Sequence, residues 1–183
     1  MKYALPIGLA MAIAAVAYWL ISQQQPATVD ASSPDDSGGD VAEQNIPAPV
    51  STNFSAKVVQ LAQAIAKAEG FGVAGAVPTR GNNPGDLTKS FGYATAGTLN
   101  AEGVLAFVDL SDGWNALYAV VAYWLSGSDS LYPLSLTIEQ VAGNYVDGPN
   151  AAGFSAGAEN WSNIVANQLG LSVTNTLQDF LNS

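Results

Sequence analysis

The chain contains no histidine and no cysteine. The first absence excludes Ser-His triads, imidazole bases and His-ligated zinc sites. The second excludes a disulfide framework and thiol chemistry. Basic residues are scarce as well: 5 Lys and Arg stand against 15 Asp and Glu, a formal net charge of -10. Nucleic-acid binding needs basic patches, so no nucleic-acid partner is expected. Hydrolytic chemistry in such a chain has to run on carboxylates, hydroxyls or amides. No cofactor and no metal are expected.

What is present falls into three segments. Tyr3 to Ile21 carries no charge and is almost wholly apolar, about the length that crosses a bilayer as a helix. Lys2 precedes it and an acidic stretch follows, which places the N-terminus inside and the remainder outside. Tyr18 and Trp19 suit the outer interface. A cleaved signal peptide competes with this reading, because Ala15-Val16-Ala17 has the form of a cleavage triplet. Against it, Tyr-Trp-Leu-Ile continues the apolar run beyond that point. Gln23 to Thr52 is rich in Pro, Ser, Gly and Asp, and reads as a tether of roughly 30 residues that cannot bury enough surface to fold. The expected division is therefore a transmembrane anchor at 1-22, a flexible linker at 23-52 and a folded domain at 53-183. This describes a single-pass membrane protein whose partner through Tyr3 to Ile21 is the lipid bilayer.

The folded part opens with Ser55 to Phe71. Val58, Leu61, Ala62 and Ile65 recur at helical spacing, with Ser55 at the N-cap position. On a helical wheel Glu69 falls within about 30° of the centre of that apolar stripe, while Lys67 points the opposite way. An acid facing the core in the last turn of a helix opposes both desolvation and the helix dipole. Both push its pKa upward. A carboxyl kept protonated near neutrality is what a general acid for glycoside cleavage requires. The simpler alternative is a partly exposed Glu beside a helix-ending Gly70.

The residues after Glu69 weigh on that choice. "AEGF" at the helix end, a short Gly-rich loop and "PTRGNNPGDL" from Pro78 to Leu87 follow one another. Phe107, Gly113-Trp114-Asn115-Ala116-Leu117, and Glu159-Asn160-Trp161 running on to Leu169-Gly170 come later. In this order the segments resemble the lysozyme-like lytic transglycosylase domains of bacteriophages, over roughly Phe54 to Leu181. Gly81 and Asp86 depart from the family pattern, where Asn is common at both places. The resemblance implies that Glu69 is the catalytic acid and that the substrate is the glycan strand of peptidoglycan. It also implies a virion protein that opens the cell wall during infection.

The remaining elements read as helical, with one small β unit. Asp86 to Tyr93 and Gly103 to Asp109 are expected as hairpin arms. Ser111 is expected to cap a helix carrying Trp114, Leu117, Tyr118, Val121 and Leu125. Thr137 to Gln140 has the form of a capping box. Trp161, Ile164, Val165 and Leu169 make a further apolar face stopped by Gly170, and Thr176 opens a last short helix. The expected fold class is α+β, lysozyme-like, mostly helical with a β-hairpin flap, behind a single N-terminal transmembrane helix.

Around Glu69 the candidate substrate-binding residues are Arg80, Asn82, Asn83, Asp86, Tyr93 and Tyr145. The amides of Asn82 and Asn83 suit N-acetyl and hydroxyl groups, or else form the turn before Pro84-Gly85. Tyr93 and Phe91 offer sugar-stacking faces at the flap. Tyr145 lies either in the cleft, as the resemblance suggests, or in the core, and Trp114 reads as core. A two-carboxylate hydrolase needs a partner acid, and Asp86, Glu102, Asp109, Asp112 and Asp147 are the choices. The resemblance implies instead that Glu69 acts alone with the substrate's own groups and leaves a 1,6-anhydromuramic end. Two alternatives remain: a wall-binding structural protein without activity, and a host enzyme that remodels its own wall from the bacterial inner membrane.

Overall fold

A computed structural model describes residues 54-183. Helix α1 spans Ala56–Ala68, and the Ser55 hydroxyl caps it by accepting from the Val58 amide. A one-turn helix α2, Val77–Arg80, follows. Strands β1 (Thr95–Thr98) and β2 (Leu105–Phe107) form an antiparallel pair. Helix α3 covers Leu110–Leu125. Helix α4, Ile138–Ala142, runs directly into a π-helical turn at Gly143–Asp147. Helices α5 (Ala156–Leu169) and α6 (Leu177–Asn182) complete the order.

The helices form where side chains satisfy their ends. Thr137 and Gln140 make the expected reciprocal box at the start of α4. Thr176 and Asp179 make a second one at the start of α6. Gly170 closes α5 in the left-handed conformation, at φ 70. At α3 the cap is not the expected Ser111 but Asp109, whose carboxylate accepts from the Asp112 amide at 3.0 Å and from the Ser111 hydroxyl at 2.6 Å. A carboxylate at a helix N-terminus also meets the positive end of the dipole.

The hairpin is smaller than expected and its first arm lies further along the chain. Asp86 and Phe91 both have φ near +50, at 50 and 51, which an extended strand does not allow. The Tyr93 amide returns to the Ser90 carbonyl at 3.0 Å, so Ser90 to Tyr93 is a tight turn. Pairing therefore starts only at Thr95, opposite Phe107, with an irregularity before Gly97.

The core lies among α1, α3, α4 and α5. From α1 come Val58, Leu61, Ala62 and Ile65, all buried, on the face that the sequence spacing indicated. From α3 come Trp114, Leu117, Tyr118, Val121 and Trp124. From α5 come Ala158, Trp161, Val165 and Ala166. Each large apolar side chain enclosed in this way contributes about 1.5–3 kcal/mol relative to exposure. Helix α6 is tied on by main chain: Leu177 and Gln178 amides donate to Leu136 and Leu134, and Ile138 donates back to Asn175.

The expected fold class needs correction. The described residues form a mixed helical arrangement with a single two-stranded sheet, and no helix among them is long and apolar enough to cross a membrane. The longest, α3, has 16 residues, short of the roughly 20 that a bilayer requires. The expected anchor at Tyr3 to Ile21 and the linker at 23-52 lie outside the described residues.

Candidate active site

Glu69 is the C-cap of α1, its amide bonded to the Ile65 carbonyl at 2.9 Å. It keeps partial exposure. The face of α1 that packs on α5 carries its side chain toward Trp161, whose indole Nε1 donates to Glu69 Oε1 at 2.7 Å. Burial pushes the Glu69 pKa up from 4.5 to about 8; the charge of Asp86 adds to this and the Trp161 N–H opposes it. The carboxyl is therefore neutral at pH 7.

Asp86 reaches this position because the loop from Gly81 to Leu87 is clamped on two sides. On the sheet side, Phe107 donates its amide to the Gly81 carbonyl at 2.8 Å, and Leu105 donates to Leu87 at 2.9 Å. The Asn83 amide nitrogen donates to Leu87 and Leu105 carbonyls, both at 2.9 Å, while its Oδ1 accepts from the Leu87 amide at 2.8 Å. On the helix side, the Asn82 carbonyl rests against Gly113, where a Cβ would come within 1.7 Å of that oxygen. Gly81 itself is hemmed in: a Cβ there would lie 2.4 Å from Leu99 Cδ1 and 3.1 Å from the Leu105 carbonyl. That close approach to the sheet gives a physical reason for glycine at this point of the motif.

The Asp86 carboxyl is raised to about 6, first by burial and then by the charge of Glu102. Its Oδ1 is buried with no hydrogen-bond partner. Three acids thus act on one another in sequence: Glu102 on Asp86, and Asp86 on Glu69. The two lysines of α1 are engaged elsewhere, Lys57 with Ser183 and Lys67 with Gln168.

Tyr145 connects the loop to the acid. The π-helical turn, a feature often found at functional sites, delivers it between Trp124 and Trp161, with ring centroids at 5.7 and 5.4 Å. Its hydroxyl donates to the Gly85 carbonyl. Burial and the charges of Glu69, Asp86 and Tyr132 hold this phenol well above its ordinary pKa, so it remains a donor.

Compared with protein-family models, curated proteins and solved structures, this chain matches none. No family name is therefore carried by a match, and the site has to be read from its own chemistry.

Of the seven expected site residues, the structure brings Glu69, Asp86 and Tyr145 together. Asn83 is fully buried and spends its amide on the main chain. Asn82 has only a long bond, 3.5 Å, to the Phe107 carbonyl and is partly exposed at φ 50. Arg80 is exposed at the end of α2. Tyr93 packs on the edge of the core, and Phe91 stands exposed at the preceding turn. Among the possible partner acids, Asp109 caps α3 and Asp147 is bound to the Ser155 amide and hydroxyl. Sequence reasoning missed Trp161 as a site residue. The signal was a buried indole, which needs an acceptor, on a helix opposite a buried acid. Among the described residues there is no group of three His, Cys, Asp or Glu that could hold a metal ion. Two hollows, of about 320 Å³ beside Lys57 and Phe180 and about 200 Å³ beside Gly143 and Phe154, are lined by neither Glu69 nor Asp86.

Proposed function

We propose that this domain cleaves the glycan strand of peptidoglycan between N-acetylmuramic acid and N-acetylglucosamine as a lytic transglycosylase. The observation that carries this reading is the carboxyl of Glu69, bonded to the Trp161 indole at 2.7 Å, with its pKa raised by burial and by the charge of Asp86. The substrate class rests on the motif resemblance from Glu69 to Leu87 and beyond.

Glu69 gives its proton to the glycosidic oxygen. The bond from that oxygen to C1 of the muramic sugar breaks, and the electron pair stays on the departing oxygen. Positive charge develops at C1 and the ring oxygen, and the anionic Asp86 carboxylate lowers its energy. The muramic C6 hydroxyl then bonds to C1 and returns its proton to the Glu69 carboxylate, so no water is consumed. A group with a pKa of about 8 suits both steps, because it donates and accepts near the working pH.

A second reading is hydrolysis, in which Asp86 activates water or bonds to C1. The effect of the Asp86 charge on Glu69 favours it, since Glu69 is not the solitary acid that the resemblance implied. Mass spectrometry of the fragments released from purified peptidoglycan separates the two. Transglycosylation gives muramic ends lighter by one water, about 18 mass units, than hydrolysis does. Ends with full water content would overturn the transglycosylase assignment, and no released fragment would overturn both.

A further inference from the structure

Trp161 and Glu69 are 92 residues apart and meet through one hydrogen bond, indole Nε1 to carboxyl Oε1 at 2.7 Å. Indole nitrogen donates and never accepts. In a protonated acid the carbonyl oxygen is the stronger acceptor, so this bond favours the form with the carbonyl at Oε1 and the hydroxyl on Oε2. Among the described residues, Trp161 is the one hydrogen-bond donor acting on the Glu69 carboxyl, and it does so through Oε1. The Tyr145 hydroxyl, the other nearby donor, is committed to Gly85.

The indole has little freedom to turn away. Trp161 is 3% exposed and sits on the buried face of α5 with Ala158, Ser162 and Val165. The Tyr145 ring lies against it at 5.4 Å. On the α1 side, Lys67 points away to Gln168, so no cation of that helix competes for the acid.

We propose that Trp161 is a positioning residue that holds Glu69 in a single protonated form, with the transferable proton on Oε2, and then stabilises the charge left on the carboxylate. This rests on the reading of Glu69 as the proton donor. When the proton passes from Oε2 to the glycosidic oxygen, the negative charge spreads over both carboxyl oxygens. The indole N–H then becomes a charge-assisted donor, roughly twice as strong as before. The groups facing Glu69 are Trp161, Asp86 and Tyr145; Glu102 bears on Asp86, and Tyr132 on Tyr145.

The test uses the full chain and two readouts. In Trp161→Phe the ring stays and the donor is lost. kcat should fall about 10- to 100-fold, as expected for loss of a hydrogen bond to a charged group, with KM little changed. The N–H favours the charged carboxyl, so its loss should move the alkaline limb of the pH–rate profile to higher pH. Separately, the Trp161 indole N–H resonance should titrate in the wild type with a midpoint at about 8 and lose that transition in Glu69→Gln. An indole signal indifferent to pH would overturn the proposal, as would a folded Trp161→Phe with an unmoved alkaline limb. If that variant fails to fold, the indole titration decides. It needs no turnover, so its failure is distinct from a failure of the proposed glycan cleavage, which Glu69→Gln reports.

Discussion

The charge of Asp86 bears directly on Glu69 and helps to keep its proton in place. The two acids are pushed apart in proton affinity, Asp86 to about 6 and Glu69 to about 8. Between those values the pair holds one proton, on Glu69, beside one anion, on Asp86. Two carboxyls separated in this way by their surroundings form a usual acid and counter-charge arrangement for glycoside chemistry.

The pH dependence of cleavage follows from that arrangement. Rate should rise as Asp86 ionises near 6 and fall as Glu69 loses its proton near 8, giving a bell with a plateau between. Initial rates of peptidoglycan solubilisation across pH give the profile. A rate that keeps rising well above pH 8 would exclude Glu69 as the donor.

Asp86→Asn should fold normally. Asp86 sits at φ 50, a conformation that Asn tolerates at least as well. The variant removes the charge that raises Glu69, so the alkaline limb should shift to lower pH and the acid limb should flatten. The rate should fall about tenfold, less than the roughly 10²–10⁴-fold expected on losing the general acid. A loss equal to that of Glu69→Gln, with hydrolysed ends in the wild-type products, would make Asp86 the second catalytic carboxylate.

Gly113→Ala tests the clamp on the motif loop. In an exposed helix the change to Ala would add roughly 1 kcal/mol of stability. Here the new Cβ would lie 1.7 Å from the Asn82 carbonyl, and main chain cannot yield as a flexible side chain can. A net loss of about 1–3 kcal/mol is expected, together with lower activity as Asp86 is displaced. Denaturant unfolding measures it, and a stabilised, fully active variant would show that the loop does not depend on this contact.

The parts of the fold that were legible were those governed by local chemistry. The period of Val58, Leu61, Ala62 and Ile65 matches α1 and its buried face. The capping box at Thr137 and Gln140 and the stop at Gly170 also followed from short-range rules. Long-range features were not legible. No local pattern announces that an indole 92 residues away will meet Glu69, or that a π-helical turn will bring Tyr145 over Gly85. Asn83 looked like a sugar ligand because its amide has both donors and an acceptor. The same versatility lets it bind the main chain of the loop and of β2 at once. The first hairpin arm was misplaced because left-handed backbone at Asp86 and Phe91 depends on tertiary packing, not on strand propensity.

The most direct measurement is Glu69→Gln in the full chain, assayed for peptidoglycan cleavage and for thermal stability at two pH values. Cleavage should fall by about 10²–10⁴-fold or more, because the amide keeps the volume but has no transferable acid proton. The variant should also show how burial raises the acid. The folded-state pKa is raised from 4.5 to about 8, so wild-type stability from this group is present below about 4.5 and lost as pH rises through about 8. Relative to the wild type, Glu69→Gln should therefore gain stability between pH 5 and pH 8, by at most a few kcal/mol at about 1.4 kcal/mol per unit. A folded variant that cleaves at the wild-type rate would contradict the assignment of Glu69 as the general acid.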